Sequence, residues 1–268
     1  MDPIVRSQRV RKRVAELATA ISAYKSLHML DLPDIGRIKE LERLQGEIIE
    51  EIKHIADPES CDLDCFVVKA LQELGDSLEE YCQKAARLIG GRSDSCEQGS
   101  VISTLRDGSL DPESHAPLLV VLQAVLRAYS ESLEERGIVW SGITHLCPVC
   151  GVPSETMVKR RGAEYYMVCH MCFYQWRIAR GVPVCPRCGA TSPLDVGIIT
   201  DKSRRIGLAH CQRCGYVWRA ILDEHMKIPP TAAPLIALGA ERFRPALEEA
   251  RNVSGMDGGE EGFKEENS

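Results

Sequence analysis

Four Cys-x-x-Cys pairs crowded into residues 147–214 constrain this chain more than any other feature. They are Cys147/Cys150, Cys169/Cys172, Cys185/Cys188 and Cys211/Cys214. Two read Cys-Pro-x-Cys-Gly, from Cys147 to Gly151 and from Cys185 to Gly189. The other two share Cys-x-x-Cys-x-Tyr-x-Trp-Arg, ending in Tyr174-Gln175-Trp176-Arg177 and Tyr216-Val217-Trp218-Arg219. The first type recurs at an offset of 38 residues and the second at 42, so the segment is a tandem duplication with four extra residues in the second copy. Each copy holds one pair of each type. The expected sites are therefore Cys147, Cys150, Cys169 and Cys172, then Cys185, Cys188, Cys211 and Cys214.

The spacings C-x2-C-x18-C-x2-C and C-x2-C-x22-C-x2-C lie at or just beyond the usual zinc range. Two residues between cysteines let a tight turn aim both sulfurs at one ion, and the Gly that follows tolerates the backbone such a turn needs. Two turns supply four thiolates in a tetrahedron. The expected cofactors are two tetrahedral ions, zinc or iron, since four sulfurs suit both. A four-cysteine site is coordinatively closed, which disfavours metal hydrolysis and points away from an enzyme. Four matched pairs in turns between strands likewise argue against a redox dithiol. Residues 156–159 and 165–169 flank one turn and residues 196–200 and 206–210 another, the pattern of two hairpins. Tyr174 with Trp176, and Tyr216 with Trp218, share a period of two, so each couple lies on one face of a strand. These aromatics are expected to cover the metal sites and exclude water.

Charge divides the chain in the same place. Residues 1–139 carry 17 basic and 25 acidic side chains, residues 140–226 carry 11 and 6, and residues 227–268 carry 5 and 8. The whole chain is at −6. The opening, Met1-Asp2-Pro3-Ile4-Val5-Arg6, is followed by no secretory apolar stretch, and the longest apolar run, 116–122, is far below the roughly 20 residues that span a bilayer. A cytoplasmic chain with reduced, mostly metal-bound cysteines is expected.

The first 139 residues read as a helical bundle. Ile38, Leu41, Leu44, Ile48, Ile52 and Ile55 recur at steps of three and four, up to Asp57-Pro58. Leu71, Leu74, Leu78, Tyr81, Cys82 and Ala85 form a second stripe stopped by Gly90-Gly91, and Leu118, Leu119, Leu122, Leu126, Tyr129 and Leu133 a third opened by Pro117. An earlier stripe runs through Val10, Val14, Leu17, Ile21 and Tyr24. Metal modules at 140–180 and 181–228 follow, then a C-terminal helix at 229–252 with Leu235, Leu238, Phe243 and Leu247 as its apolar positions and Pro245 dividing it. A disordered tail at 253–268 completes the organisation, and the class is α+β. Among the remaining cysteines, Cys82 reads as core and Cys96 as a loop thiol; Cys61 and Cys65 sit four apart, close enough on a helix to share a ligand, but lack Cys-x-x-Cys partners, which argues against a third metal. His145, His170 and His210 read as groups hydrogen-bonding around the sulfurs rather than as ligands.

Both hairpin tips are basic, with Arg160 and Arg161 in one copy and Arg204 and Arg205 in the other. They are candidate partner contacts, and a zinc-ribbon nucleic-acid binder using them is the alternative function. Counting the sites' own charge weakens it. Eight thiolates around two divalent ions move the chain from −6 to −10 and its middle segment from +5 to +1.

This order of features resembles the formate dehydrogenase accessory proteins of the FdhE family. The likeness rests on the helix leading into Trp140-Ser141-Gly142, the two Cys-Pro-x-Cys-Gly turns, Cys169-x-x-Cys172 with Trp176-Arg177, and Cys211-x-x-Cys214. It covers about residues 110–222, and the N-terminal helices in kind. The resemblance implies a helical region followed by two rubredoxin-like metal modules, with the eight cysteines as ligands. It also implies a cytoplasmic protein that is not an enzyme and that assists maturation of a formate dehydrogenase by binding its catalytic subunit. One departure is Pro229-Pro230-Thr231-Ala232-Ala233-Pro234, where the family carries an acidic stretch.

Overall fold

The structure, a computed structural model, describes residues 34–90, 115–200, 202–225 and 228–253. The stripe at 10–24, Cys96 and the tail from 254 onward lie outside the described residues.

Helix α1, Ile35–Ile52, starts where the Asp34 carboxylate accepts a hydrogen bond from the Gly36 amide at 2.8 Å. It tightens into a 3-10 turn, Lys53–Ile55, before Pro58. The second apolar stripe forms two helices rather than one. Helix α2, Leu63–Leu74, is capped by Asp62 and stops at Gly75, whose φ of 44° only glycine adopts readily. Helix α3, Ser77–Ile89, ends on left-handed Gly90. Leu71, Leu74 and Leu78 still point into one core across the break, which is why the stripe reads as continuous. Helix α4, Ala116–Glu135, carries Pro117 in its first turn, where a missing amide costs nothing. These four helices bury Ile48, Ile52, Phe66, Leu71, Leu118 and Val125 together.

Six strands follow: β1 Thr156–Arg160, β2 Glu164–Val168, β3 Gln175–Arg180, β4 Val196–Thr200, β5 Ile206–Cys211 and β6 Val217–Ile221. They form one continuous sheet in the order β3-β2-β1-β6-β5-β4. Each copy is an antiparallel three-stranded meander, and the copies join where β1 runs parallel to β6, with Met157 opposite Ala220 and Val158 opposite Ile221. Both copies have the same strand order and direction, so one maps onto the other by a shift across the sheet.

Alternation along the strands gives the sheet two buried faces. Val158, Val168, Ile206, Leu208 and Ile221 pack against the C-terminal segment and Ile38 of α1, while Met157, Met167, Trp176, Ala209, Trp218 and Ala220 pack with the cysteines on the other face. The C-terminal segment is divided, as Pro234 and Pro245 require: α5 Ala233–Ala237, a 3-10 stretch Leu238–Phe243, and α6 Arg244–Val253. Its packing face is Ile236, Ala237, Ala240 and Leu247; Leu238, read as part of that face, is exposed. No helix among the described residues is long and apolar enough to cross a membrane.

Candidate metal centres

Each quartet is assembled by two turns that precede strands. In the first, Cys147 Sγ lies 3.5 Å from Cys172 Sγ, and Cys150 Sγ 3.5 Å from Cys169 Sγ. In the second, Cys185–Cys214 and Cys188–Cys211 are both 3.6 Å apart. All four sulfurs of each quartet lie within 4.8 Å of one another, and each quartet could hold one ion. The fit is quantitative: a tetrahedron with metal–sulfur bonds of about 2.3 Å has sulfur–sulfur edges of about 3.8 Å. The eight cysteines are free thiols.

The turns take the backbone their sequence suggests. Gly151, Gly189 and Gly215 all have φ of 71° to 75° just after a cysteine pair. Copy one breaks the pattern, since Phe173 occupies the place of Gly215 and adopts φ 57° with a full side chain. An amide also points at sulfur, Met171 N–H donating to Cys169 Sγ at 3.3 Å. Crowding separates the thiols electrostatically. S–H groups of Cys147, Cys169 and Cys172 hold Cys150 far below an ordinary thiol, while hydrogen bonding to Cys147 and Cys150 pushes Cys169 up. In the second quartet burial opposes ionisation of Cys188, but the Ala190 amide and the other three thiols lower it to about 7. Burial pushes Cys185 and Cys214 up.

The quartets differ in exposure. Cys147, Cys169 and Cys172 are buried and Cys150 half-buried, whereas Cys188 is exposed and Cys214 half-buried.

Among solved structures, the chain is similar to the crystal structure of the FdhE protein from Pseudomonas aeruginosa, with 18% identity, 90% of each chain covered and a TM-score of 0.53. The fold is the FdhE fold. No family model and no curated protein matches the sequence.

Within this FdhE-like frame the aromatics sit beside the sulfurs. Tyr174, Trp176 and Trp218 are each 1% exposed and share a core with Cys147, Cys169, Cys172, Cys185 and Cys211. Trp176 Nε1–H donates to the Thr144 carbonyl, and the Tyr174 hydroxyl accepts from the Trp140 amide. Tyr216 stacks on Trp218 at 5.9 Å and donates to the Ser154 carbonyl of the other copy. No histidine joins either quartet among the described residues. His145 packs edge-on to Tyr216, and the His210 ring covers Gly197, where a Cβ would come within 2.3 Å of Nε2.

The hairpin tips spend much of their charge within the molecule. Arg160 donates to Gln175 and to the Ile228 carbonyl, Lys159 pairs with Glu224, and Arg205 with Asp223. Arg161 and Arg204 are exposed. Cys61 and Cys65 hold no third metal but form a disulfide, with Asp62 starting α2 between them so that Cys61 lies before the helix. Cys82 is buried in the helical core as expected, and is disulfide-bonded as well. These bonds depart from the expectation of uniformly reduced cysteines.

Sequence reading missed the joint between helices and sheet. Gln123 of α4 donates to the His170 carbonyl beside Cys169, and the Arg127 guanidinium lies 5.5 Å over the Phe173 ring beside Cys172. Arg127 is itself buried between Glu42 of α1, at 2.9 Å, and Glu131. Next to this joint a cavity of about 500 Å³ opens, lined by Ile38, Leu41, His170, Phe173, Arg219 and Leu235 among others. The available signal was Phe173 itself, a large residue where the repeat has Gly.

Proposed function

We propose that this protein is a cytoplasmic, non-enzymatic accessory factor that binds the catalytic subunit of a formate dehydrogenase and assists its maturation. In this reading Cys147, Cys150, Cys169 and Cys172 hold one zinc or iron ion and Cys185, Cys188, Cys211 and Cys214 the other. The ions supply no open coordination position; they pin the turns from which the strands of the sheet emerge. Tyr174, Trp176, Tyr216 and Trp218 keep water from the thiolates, and the exposed Arg161 and Arg204 belong to the partner-facing surface. The observation that carries the reading is the pair of closed four-cysteine clusters on one face of a single sheet, in a fold shared with FdhE over 90% of both chains.

The test is affinity purification of the full chain from anaerobic cells that express a respiratory formate dehydrogenase. The catalytic subunit is expected to co-purify in stoichiometric amount, and its absence under those conditions defeats the reading. Metal analysis of the purified chain is expected to find two ions. The visible spectrum then separates red ferric sites from colourless zinc.

A further inference from the structure

The segment between α4 and the first cysteine turn presents apolar side chains to solvent. Val139, Trp140, Ile143 and Leu146 are four of the seven large hydrophobic side chains exposed among the described residues. Residues 137–154 around them contain no Asp, Glu, Lys or Arg. The segment is also held more firmly than a connector needs. The Tyr174 hydroxyl accepts from the Trp140 amide and donates to the Ile138 carbonyl. The Gly142 amide donates to the Arg177 carbonyl at 3.0 Å, and Trp176 Nε1–H donates to the Thr144 carbonyl. These bonds satisfy backbone polar groups while the apolar side chains stay in water, so the surface is preorganised for a partner that covers it. It continues onto the second metal turn. A Cβ at Gly189 would lie 3.8 Å from Ile143 Cγ2, and beside Gly189 is Cys188, the exposed cysteine of that quartet. Each turn of the second quartet carries an exposed arginine between its cysteines, Arg187 and Arg213, whereas the turns of the first carry neither lysine nor arginine. The two cations offset the charge of four thiolates around a divalent ion. Arg187 forms no ion pair among the described residues.

We infer that residues 139–146 and the turn from Cys185 to Gly189 form the docking face for the catalytic subunit, meeting an apolar patch on that partner bordered by an acidic group for Arg187. The inference rests on the accessory-factor reading above and adds a docking element to the hairpin tips named there. The chemistry of the face selects a protein. Uncharged aliphatic side chains offer nothing to a phosphate backbone or an anionic headgroup, and a metal-loaded chain at −10 repels both. A tryptophan among uncharged aliphatic groups is what the centre of a protein interface concentrates. A second copy does not fit. A two-fold contact through this face would bring Arg187 toward its own equivalent, and neither 137–154 nor 185–189 holds a carboxylate to receive it. Docking here covers Cys188 as well, which couples partner binding to retention of the second metal ion.

Co-purification of the full, metal-loaded chain with the catalytic subunit tests this, run in parallel on the unaltered protein and its variants. Val139→Asp/Ile143→Asp should cut the recovered subunit by about tenfold or more, because it places charge at the centre of the interface. Arg187→Glu should reduce recovery by a margin that narrows at high salt. Leu194→Asp changes a side chain that is 82% exposed but outside the face, and should leave recovery unchanged. Unchanged metal content certifies the fold of each variant, since none of these side chains is a ligand. In the complex, the fast phase of metal release to a chelator should disappear as Cys188 is covered. An unaltered chain that recovers no subunit defeats the accessory-factor reading and this one with it. Full recovery by Val139→Asp/Ile143→Asp, or a fast phase that persists in the complex, overturns the docking face alone. If that variant keeps the subunit and instead changes the sedimentation of the free chain, the face belongs to a second copy.

Discussion

Arg127 is the residue on which most of the interdomain geometry converges. Burial works against its charge, but Glu42 and Glu131 outweigh that, so its pKa is raised and it stays a cation inside the protein. One face of the guanidinium meets Phe173 and its N–H groups meet two carboxylates. Arg127→Ala should therefore destabilise by about 3–5 kcal/mol, mostly because the buried ion pair between Arg127 and Glu42 is broken. Replacing Arg127 and Glu42 together by Met and Leu should cost less than the single change. Urea unfolding of the three proteins checks both statements. Phe173 adds the complementary constraint. A non-glycine residue at φ 57° costs about 1 kcal/mol, retained in copy one because the ring forms the joint. Copy two has Gly215 there, so Gly215→Ala should lower stability by about 1 kcal/mol with no compensating contact. An unchanged midpoint in thermal unfolding would contradict that.

Among elements, the two quartets share a design and differ in shelter. The first is packed behind α4 and closed by buried Cys172, whereas the second presents Cys188 to solvent. A chelator reaches an ion through exposed ligands, so one equivalent of metal should leave quickly and one slowly. Cys188→Ser should abolish the fast phase alone and Cys172→Ser the slow one, read with a colorimetric metal indicator. Equal release rates would show that exposure does not govern access. The quartets were legible in the sequence because a Cys-x-x-Cys turn is local and the duplication states which pairs belong together. The hairpins were legible for the same reason, since the tips at 160–163 and 201–205 separate segments of matching length. The break at Gly75 was hidden because Leu74 and Leu78 keep helical phase across it. The Cys61–Cys65 bond was hidden because four-residue spacing suits a helix face as well as the start of one. Arg127 was hidden because an arginine beside an apolar stripe reads as the solvent side of a helix.

At the scale of the whole molecule, the β1–β6 joint turns two small modules into one structure. It pairs segments some sixty residues apart in parallel, and such pairing leaves no periodic mark in a sequence, so the modules read as separate. The joint has an energetic consequence. Trp176 and Trp218 belong to different copies yet share one core with both sets of cysteines, and Tyr216 of copy two is anchored on Ser154 of copy one. Small repeats of this kind depend on metal for their stability. The helical core around Phe66 and Leu118 is a separate cluster, linked to the sheet by Ile38 and the Arg127 joint. Removing both ions should therefore unfold the sheet as a unit while α2, α3 and α4 persist. Tryptophan fluorescence should shift to the red as Trp176 and Trp218 reach water, with most helical circular dichroism kept. Trp176→Phe and Trp218→Phe proteins, each reporting on one buried copy, should show the same transition midpoint. Two midpoints would mean that the copies unfold independently and that the parallel joint contributes little.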